Sequence, residues 1–364
     1  MTGFFPPQGL SKKLSELRGV LRSYPPQGLK VPALLTLKYI YATGATADSF
    51  VIVDVEDPSN PLVVSSCSGT PLDSCDGGAK VEGVSDVDGN LAYVVSDVTD
   101  CLTIVDASNK LAPSVLEYIS TAELDGADVC FTLGNYSYVT AADVDRVTII
   151  DVSDPARPAQ VGSIQSSDYL DLGWGIFTVD NYCYMCSRAD DRLTSLDVSD
   201  PASPSILGFV TSLSLDYALD LFISDYAYAG GGYADTVNVI DISDPSNPAI
   251  LGYVSETSLD YPWGLYNAGS YVYVAAKYAD ALTIVDVSDP ANPVVIGTIS
   301  NTYLKEAHGC CTHENYGYVT ASYSDSFNVI DVSDPTNPTQ VASVTDTSLD
   351  GAGDSFLPLV FVGG

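Results

Sequence analysis

The chain has 364 residues, with 47 acidic and 14 basic side chains and a net charge of −33. This balance argues against a basic face for direct nucleic-acid binding. No run of 18 apolar residues is present, so the sequence predicts no transmembrane helix. No signal peptide is visible at the N-terminus, because Lys12 and Lys13 precede no apolar stretch of leader length.

Residues 1–34 are predicted to form a basic arm. An aromatic-Pro-Pro-Gln-Gly-Leu segment occurs twice in it, at 5–10 and 24–29, with a short amphipathic helix predicted from Ser11 to Arg22. Such a helix is marginal alone, so we expect the arm to dock on the acidic remainder of this chain or of a neighbouring subunit. The expected docking side chains are Phe5, Leu10, Leu14, Leu17, Leu21, Tyr24 and Leu29. The alternative is a tail or a divergent targeting peptide.

The remainder of the chain repeats one phrase, an apolar residue and Asp usually followed by Val/Ile-Ser-Asp-Pro. Its first Asp occurs seven times, at positions 54, 106, 151, 197, 241, 286 and 331. A period of about 45 residues in a β-rich chain is typical of a propeller with one blade per repeat.

One repeat, residues 259–300, contains four short apolar runs separated by Gly, Asn, Asp and Pro. The runs are Trp263–Tyr266, Tyr271–Ala275, Leu282–Val287 and Val294–Ile299. Runs of this length, rich in β-branched and aromatic residues, indicate antiparallel strands. Each repeat is therefore predicted to form one four-stranded blade.

The two ends of the repeat region complement each other. The chain enters at Tyr39 in a second strand and leaves in a segment that matches a first strand, Leu349–Phe356. We therefore predict an all-β protein, a seven-bladed β-propeller over residues 35–364 that is closed by pairing of its N- and C-terminal strands. Closure of this kind leaves no open edge in the ring.

The repeated Ile/Val-Asp-Val-Ser-Asp-Pro phrase, preceded by Tyr-x-Tyr-Val-Ala and Leu-Thr-Ile-Val, resembles the LVIVD-repeat family of β-propellers. The resemblance covers about residues 39–350, and the second unit departs from it most, with Asp106 to Lys110 lacking the Asp-Pro turn. Members of this family are mostly surface or secreted proteins of bacteria and archaea with interaction-type roles. The resemblance implies a fold more firmly than a function.

Much of the acidity falls at repeated positions. Besides the third-strand Asp, an Asp six residues earlier occurs seven times, at positions 48, 100, 145, 191, 235, 280 and 325. Asp accepts hydrogen bonds from backbone N–H groups just ahead of it and fixes tight turns, so we interpret most of these residues as turn formers. The rival interpretation is a halophilic or acid-adapted surface.

A Leu-Asp pair precedes the first strand in five units, and these aspartates are expected near one mouth of the central channel. They are Asp125, Asp171, Asp216, Asp260 and Asp350, whereas Lys305 replaces the Asp in another unit. Three residues further on, the side chain varies, and the distinctive ones are Asp128, Trp174, Trp263 and His308. Variation at one position of a regular repeat is where a binding face is expected. The alternative is that these side chains fill the channel.

Metal, disulfide and catalytic signals are weak. His308, Cys310, Cys311 and His313 lie close in sequence, but alternation along a strand places them on opposite faces. No metal or cofactor is therefore expected, although calcium on the aspartates stays an alternative. Cys67 and Cys75 are the one plausible disulfide, bracketing an apparent insertion at 68–74. With two histidines, no Ser-His-Asp set can be assembled, and we expect no enzyme.

These observations favour a non-enzymatic structural or interaction protein, displayed on an extracellular surface or built into a virus particle or cell envelope. Its expected partner is a protein or a second copy of the chain, bound through the arm. The alternative is a carbohydrate- or small-ligand-binding module that uses the mouth.

Overall fold

The computed structural model describes residues 38–75 and 90–357. The predicted N-terminal arm lies outside these residues, so its helix, its docking side chains and the boundary at residue 34 stay predictions. Within the described ranges, no helix has the length and hydrophobicity needed to span a bilayer.

The described residues form antiparallel sheets that confirm the all-β, seven-bladed propeller. Blade 1 consists of β1 (Tyr39–Gly44), β2 (Ser49–Asp54), β3 (Leu62–Ser68) and β27 (Ala352–Phe356). Blade 2 contains β4 (Leu91–Ser96), β5 (Cys101–Asp106) and β6 (Ser114–Ser120). Blade 3 consists of β7 (Ala127–Leu133), β8 (Tyr136–Ala141), β9 (Arg146–Asp151) and β10 (Ala159–Gln165).

The remaining blades follow the same order along the chain. Blade 4 consists of β11 (Gly173–Val179), β12 (Tyr182–Ser187), β13 (Arg192–Asp197) and β14 (Ser205–Thr211). Blade 5 consists of β15 (Ala218–Ile223), β16 (Ala227–Gly231), β17 (Thr236–Asp241) and β18 (Ala249–Ser255). Blade 6 consists of β19 (Pro262–Ala268), β20 (Tyr271–Ala276), β21 (Ala281–Asp286) and β22 (Val294–Ser300). Blade 7 consists of β23 (Ala307–His313), β24 (Tyr316–Ala321), β25 (Ser326–Asp331) and β26 (Thr339–Thr345).

Closure of the ring is achieved by blade 1, as predicted. Strand β27 pairs with β1, with Tyr41 opposite Phe356 and Ala42 opposite Ser355. The buried ring of Phe356 lies 5.7 Å from Tyr41 and 6.4 Å from Phe50. The last described strand of the chain thus completes the core of the first blade.

The core lies between neighbouring blades. The second ring of each predicted Tyr-x-Tyr pair is buried: Tyr41, Tyr138, Tyr184, Tyr228, Tyr273 and Tyr318. Leu219 and Tyr261, of blades 5 and 6, join side chains of blades 3 and 4 in one apolar cluster. No blade therefore has a core of its own, as expected for a repeat architecture.

The alternating strand directions give the ring two different faces. Each first, innermost strand begins on the same face as the turn between strands two and three. We call this the entry face. The turns that contain Ser-Asp-Pro connect strands three and four and therefore lie on the opposite face. Every candidate mouth residue precedes or begins an innermost strand, so all of them belong to the entry face.

The repeated aspartates fall into two classes. The third-strand Asp behaves as predicted: Asp197, for example, accepts a hydrogen bond from the backbone N–H of Ser199 at 2.9 Å. The carboxylate of the Asp six residues earlier instead accepts a hydrogen bond from a backbone N–H of the next blade. These bonds are Asp48–Ser74 3.0 Å, Asp100–Gly126 3.0 Å, Asp145–Leu172 3.4 Å, Asp191–Tyr217 2.9 Å, Asp235–Tyr261 3.2 Å, Asp280–Glu306 2.8 Å and Asp325–Gly351 2.9 Å. We call these seven the inter-blade aspartates.

The segment at 68–74 is not an insertion. Leu72 is buried, the carbonyl of Pro71 accepts a hydrogen bond from Thr103 at 2.6 Å, and Ser74 donates to Asp48. This is the regular entry into a blade, and Leu72-Asp73 is a further Leu-Asp pair that the sequence analysis missed. The extra residues of the 52-residue step therefore lie after Cys75. Cys67 and Cys75 are not joined by a disulfide.

Candidate functional site

The four distinctive residues predicted at the mouth occupy one structural position. Asp128, Trp174, Trp263 and His308 are each the second residue of an innermost strand, in β7, β11, β19 and β23 respectively. The innermost strands contact one another around the central axis. The structure therefore places these side chains around the channel at the entry face.

Three of the four form an aromatic cluster. The rings of Trp174 and Trp263 meet edge to face, with centroids 5.5 Å apart, and His308 lies 4.8 Å from Trp263. Trp174 and His308 are buried, with exposures of 9% and 1%, whereas Trp263 is half-buried. Trp174 and His308 are thus enclosed by their neighbours, and Trp263 is the most exposed of the three rings.

Two cations that the sequence analysis missed cover the tryptophans. The guanidinium carbon of Arg188 lies 3.9 Å from the centroid of the Trp174 ring, and Lys277 Nζ lies 4.2 Å from that of Trp263. Both residues lie three positions before an inter-blade aspartate, in the turn between strands two and three. The equivalent positions in the other blades hold Ala45, Asp97, Ala142, Gly232 and Ser322. The two cations are thus distinctive at one repeat position, but only the blade geometry brings that position against the tryptophans.

Each cation has an acidic neighbour beyond hydrogen-bond length. Arg188 lies 3.6 Å from Asp128, and Lys277 lies 3.9 Å from Glu306. The Nε of Arg188 is buried without a hydrogen-bond partner among the described residues. A buried donor left unpaired costs free energy, so this guanidinium has capacity for a further acceptor.

Four tyrosines extend the cluster outward. Tyr261 stacks on Trp263 at 5.6 Å and lies 4.7 Å from Tyr278, while Tyr217 stacks on Tyr233 at 4.3 Å. Burial and the neighbouring Tyr217 raise the pKa of the Tyr261 phenol above its usual value. This phenol therefore stays neutral at ordinary pH and acts as a hydrogen-bonding group.

The predicted Leu-Asp carboxylates lie on the same face, where three of them pair with inter-blade aspartates. Burial and the carboxylate of Asp145 raise the pKa of Asp171. In the same way, burial raises the pKa of Asp216 and of Asp260, beside Asp191 and Asp235. Asp125 and Asp350 are exposed. The entry face thus carries acceptor oxygens around the aromatic cluster.

Deeper in the channel, His308 Nδ1 lies 3.6 Å from a carboxylate oxygen of Asp354. A Cβ on Gly264 would overlap the carbonyl oxygen of His308, so only glycine allows the innermost strands of blades 6 and 7 to approach this closely. A cavity of about 20 Å³ lies beside Asp354, Asp220 and Ser355, with room for about one water molecule.

The cysteines and metal candidates give no site within the described ranges. Cys310 donates to the carbonyl oxygens of Tyr273 and Gly264 at 3.3 and 3.4 Å, and Cys311 packs in an apolar core. No group of three His, Cys, Asp or Glu side chains in those ranges is arranged to hold a metal ion. Calcium binding stays untested.

The family of the chain follows from its repeats. The sequence profile of the LVIVD repeat matches residues 33–69, 80–121, 128–166, 174–212, 217–255, 264–301 and 307–346. The chain belongs to the LVIVD-repeat family. No curated protein matches its sequence.

Solved structures with the same fold are remote in sequence. A protein of Bacteroides fragilis, provisionally assigned as a 6-phosphogluconolactonase, is 11% identical over 90% of this chain and 99% of its own, with a TM-score of 0.73. The periplasmic gluconolactonase of Pseudomonas aeruginosa is 12% identical over 88% and 99%, with a TM-score of 0.72. A protein of Lactobacillus plantarum is 11% identical over 88% and 99%, with a TM-score of 0.74.

These neighbours correct one expectation. We expected no enzyme because two histidines cannot build a Ser-His-Asp set, and the gluconolactonases among these neighbours contradict that expectation. The gluconolactonase of Pseudomonas aeruginosa shares this propeller fold, so the fold is compatible with catalysis. The composition of the chain cannot decide the question, because chemistry depends on which residues the channel mouth brings together.

Proposed function

We propose that the protein binds a sugar acid, or its lactone, at the mouth of the central channel. The observation that carries this proposal is the pair of cation-covered tryptophans. Trp174 and Trp263 touch each other, and each is covered by one cation, Arg188 or Lys277. A convergent set of aromatic rings with a few placed polar groups is typical of small-ligand sites.

The chemistry of the site matches a polyhydroxylated anion. The exposed part of the half-buried Trp263 ring offers apolar surface for the C–H groups of a sugar. The guanidinium of Arg188 can hold a carboxylate through two parallel hydrogen bonds. Asp128 and Glu306 can accept hydrogen bonds from hydroxyl groups. A neutral apolar ligand would leave both cations unused.

Isothermal titration with D-gluconate and D-galacturonate tests the proposal. We expect Trp263→Ala and Arg188→Gln each to weaken binding tenfold or more, because each removes a central contact of the site. Tyr253→Ala is the matched control, since this exposed ring lies on β18 at the outer edge of blade 5. Equal affinity of wild type and Trp263→Ala, with both folded by circular dichroism, would contradict the proposal.

Hydrolysis of a lactone is the second candidate, and the His308–Asp354 pair favours it. In this reaction His308 takes a proton from water and the water oxygen adds to the lactone carbonyl carbon. The ring C–O bond then breaks, and the protonated His308 returns its proton to the leaving ring oxygen. The products are a carboxylic acid and a hydroxyl group. The cations beside the tryptophans would stabilise the negative charge on the carbonyl oxygen.

Acid release from glucono-δ-lactone in a pH-stat tests this second candidate. We expect a rate above the spontaneous background for the wild type and a rate at background for His308→Gln. A wild-type rate equal to the background would exclude lactonase activity on this substrate.

The assembly role predicted for the arm rests on residues outside the described ranges. It stays a prediction.

A further inference from the structure

Three exposed tyrosines occupy the same position in three consecutive blades. Tyr233, Tyr278 and Tyr323 lie in the turn between strands two and three of blades 5, 6 and 7, with exposures of 64%, 59% and 63%. Blades 1 to 4 have Thr46, Val98, Asp143 and Ala189 there. We call the three rings the tyrosine arc. Side chains this exposed make a small contribution to packing, so stability does not explain the arc.

The arc continues directly from the mouth. Tyr278 and Tyr233 lie 4.7 and 5.9 Å from Tyr261, which stacks on Trp263. Ring contacts therefore lead without interruption from the half-buried tryptophan to the outer rim of the entry face. A ligand seated on Trp263 can extend over these rings.

Two further tyrosines connect the arc to the aromatic cluster. Tyr217 and Tyr261 follow the Leu-Asp pair of blades 5 and 6, at a position where the backbone is left-handed in both, with φ angles of 57° and 59°. Leu172 and Glu306 adopt the same conformation in blades 4 and 7, so this conformation belongs to the repeat. The tyrosines are distinguished by their ring contacts, Tyr217 with Tyr233 and Tyr261 with Tyr278.

Lys and Arg side chains, which are rare in this chain, are concentrated on the entry face. The described ranges contain eight Lys and Arg residues, and four of them lie on aromatic rings of the entry face: Arg188, Arg192, Lys277 and Lys305. Lys305 Nζ is 3.8 Å from the Tyr323 ring, in the blade where Lys replaces the Leu-Asp aspartate. The arc thus presents flat apolar surfaces with positive charge at intervals.

We propose that the tyrosine arc is an outer subsite for an acidic oligosaccharide, a chain of uronic acid residues with its terminal sugar in the mouth. This inference rests on the proposed function and extends it from a single sugar to a chain. Single-stranded nucleic acid also stacks on aromatic rings. Asp235 and Asp280 lie in the same turns as Tyr233 and Tyr278. Their carboxylates can accept hydrogen bonds from sugar hydroxyls, which the backbone of single-stranded DNA lacks.

Titration of the full chain with galacturonate and with tetragalacturonate tests the inference. We expect the tetramer to bind the wild type at least tenfold more tightly than the monomer. Tyr323→Ala should remove most of this advantage and leave the Kd of the monomer unchanged, and Tyr278→Ala should also remove most of the advantage. Tyr253→Ala, an equally exposed ring away from the arc, should change neither Kd.

The possible failures are distinguishable. Equal affinity for monomer and tetramer would overturn the outer subsite and leave the proposed function standing. Tighter binding of an oligothymidylate than of tetragalacturonate would show that the arc serves nucleic acid and would overturn the inference. Binding of neither sugar would overturn the proposed function and this extension together.

Discussion

At the scale of single residues, the entry face holds carboxylates that oppose each other. Asp171 lies beside Asp145, and the pKa of Asp171 is raised by burial first and by this neighbouring charge second. A raised pKa in an acid means that the folded protein holds the proton more tightly than the unfolded chain. Ionisation of Asp171 therefore reduces stability as pH rises above the ordinary Asp value and through the raised one.

We expect Asp171→Asn to stabilise the protein at pH 7, because the amide removes the repulsion and still offers a donor to Asp145. The gain should be at most about 1 kcal/mol, as for other solvent-accessible charge pairs. It should vanish below about pH 3.8, where Asp171 of the wild type is protonated as well. Thermal unfolding of both proteins between pH 3 and 7 measures this.

Asp197→Asn is the control with the opposite sign. Hydrogen bonds from the hydroxyl and backbone N–H of Ser199 lower the pKa of Asp197. Its stabilising contribution is therefore present above the ordinary Asp pKa and is lost as pH falls through the lowered one. We expect a small loss of stability at pH 7 that disappears in acid. Parallel pH profiles for the two variants would contradict both assignments.

The tryptophans of the site could be predicted from the sequence and the cations could not. Trp174 and Trp263 are distinctive at a repeat position, so alignment of the units was sufficient to find them. Arg188 and Lys277 lie in turns and reach the rings across space. The sequence separations of 14 residues from Trp174 to Arg188 and from Trp263 to Lys277 have meaning only when the blade geometry is known.

At the scale of elements, the turn between strands two and three holds neighbouring blades together through a hydrogen bond. In blade 5 this turn ends at Asp235, which has a φ of 52° and accepts a hydrogen bond from the backbone N–H of Tyr261 in blade 6. The residue must therefore tolerate a left-handed backbone and supply an acceptor. Asp and Asn satisfy both requirements, whereas Ala satisfies neither.

We expect Asp235→Ala to lower the free energy of unfolding by about 1–3 kcal/mol, because the N–H of Tyr261 loses its partner. Asp235→Asn should cost much less, since it retains the acceptor oxygen and the backbone preference. Urea unfolding of the two variants measures the difference. Equal losses would show that the charge matters more than the hydrogen bond.

Sequence reasoning identified these aspartates but assigned them to their own turns. A hydrogen bond across 26 residues leaves no local pattern. The same limitation hid Leu72-Asp73: the extra residues that follow it in blade 2 break the register of the repeat. Strand number, blade order and closure were predictable because they depend on periodicity, which the sequence displays directly.

At the scale of the whole molecule, the ring depends on a strand that comes from the far end of the chain. Phe356 is 3% exposed and packs against Tyr41 and Phe50 of blade 1. We expect Phe356→Ala to destabilise the protein by about 3–5 kcal/mol, as for other buried Phe-to-Ala changes. Thermal unfolding combined with light scattering measures the loss and any association through the loosened edge of β1.

Phe209→Ala is the matched control, because this ring is 44% exposed on the outer strand β14. Its loss of stability should be several times smaller. Comparable losses of stability for the two variants would show that the aromatic packing of Phe356 is not what holds β27 in blade 1.

The position of the closing strand in the chain also determines when the first blade can be completed during synthesis. Strand β1 ends at Gly44 and its partner β27 ends at Phe356. At roughly 5–20 residues per second, a ribosome takes about 15–60 s to synthesise the intervening chain. Throughout that interval one edge of β1 has no native partner. During that interval the unpaired edge of β1 can pair with a strand of another chain.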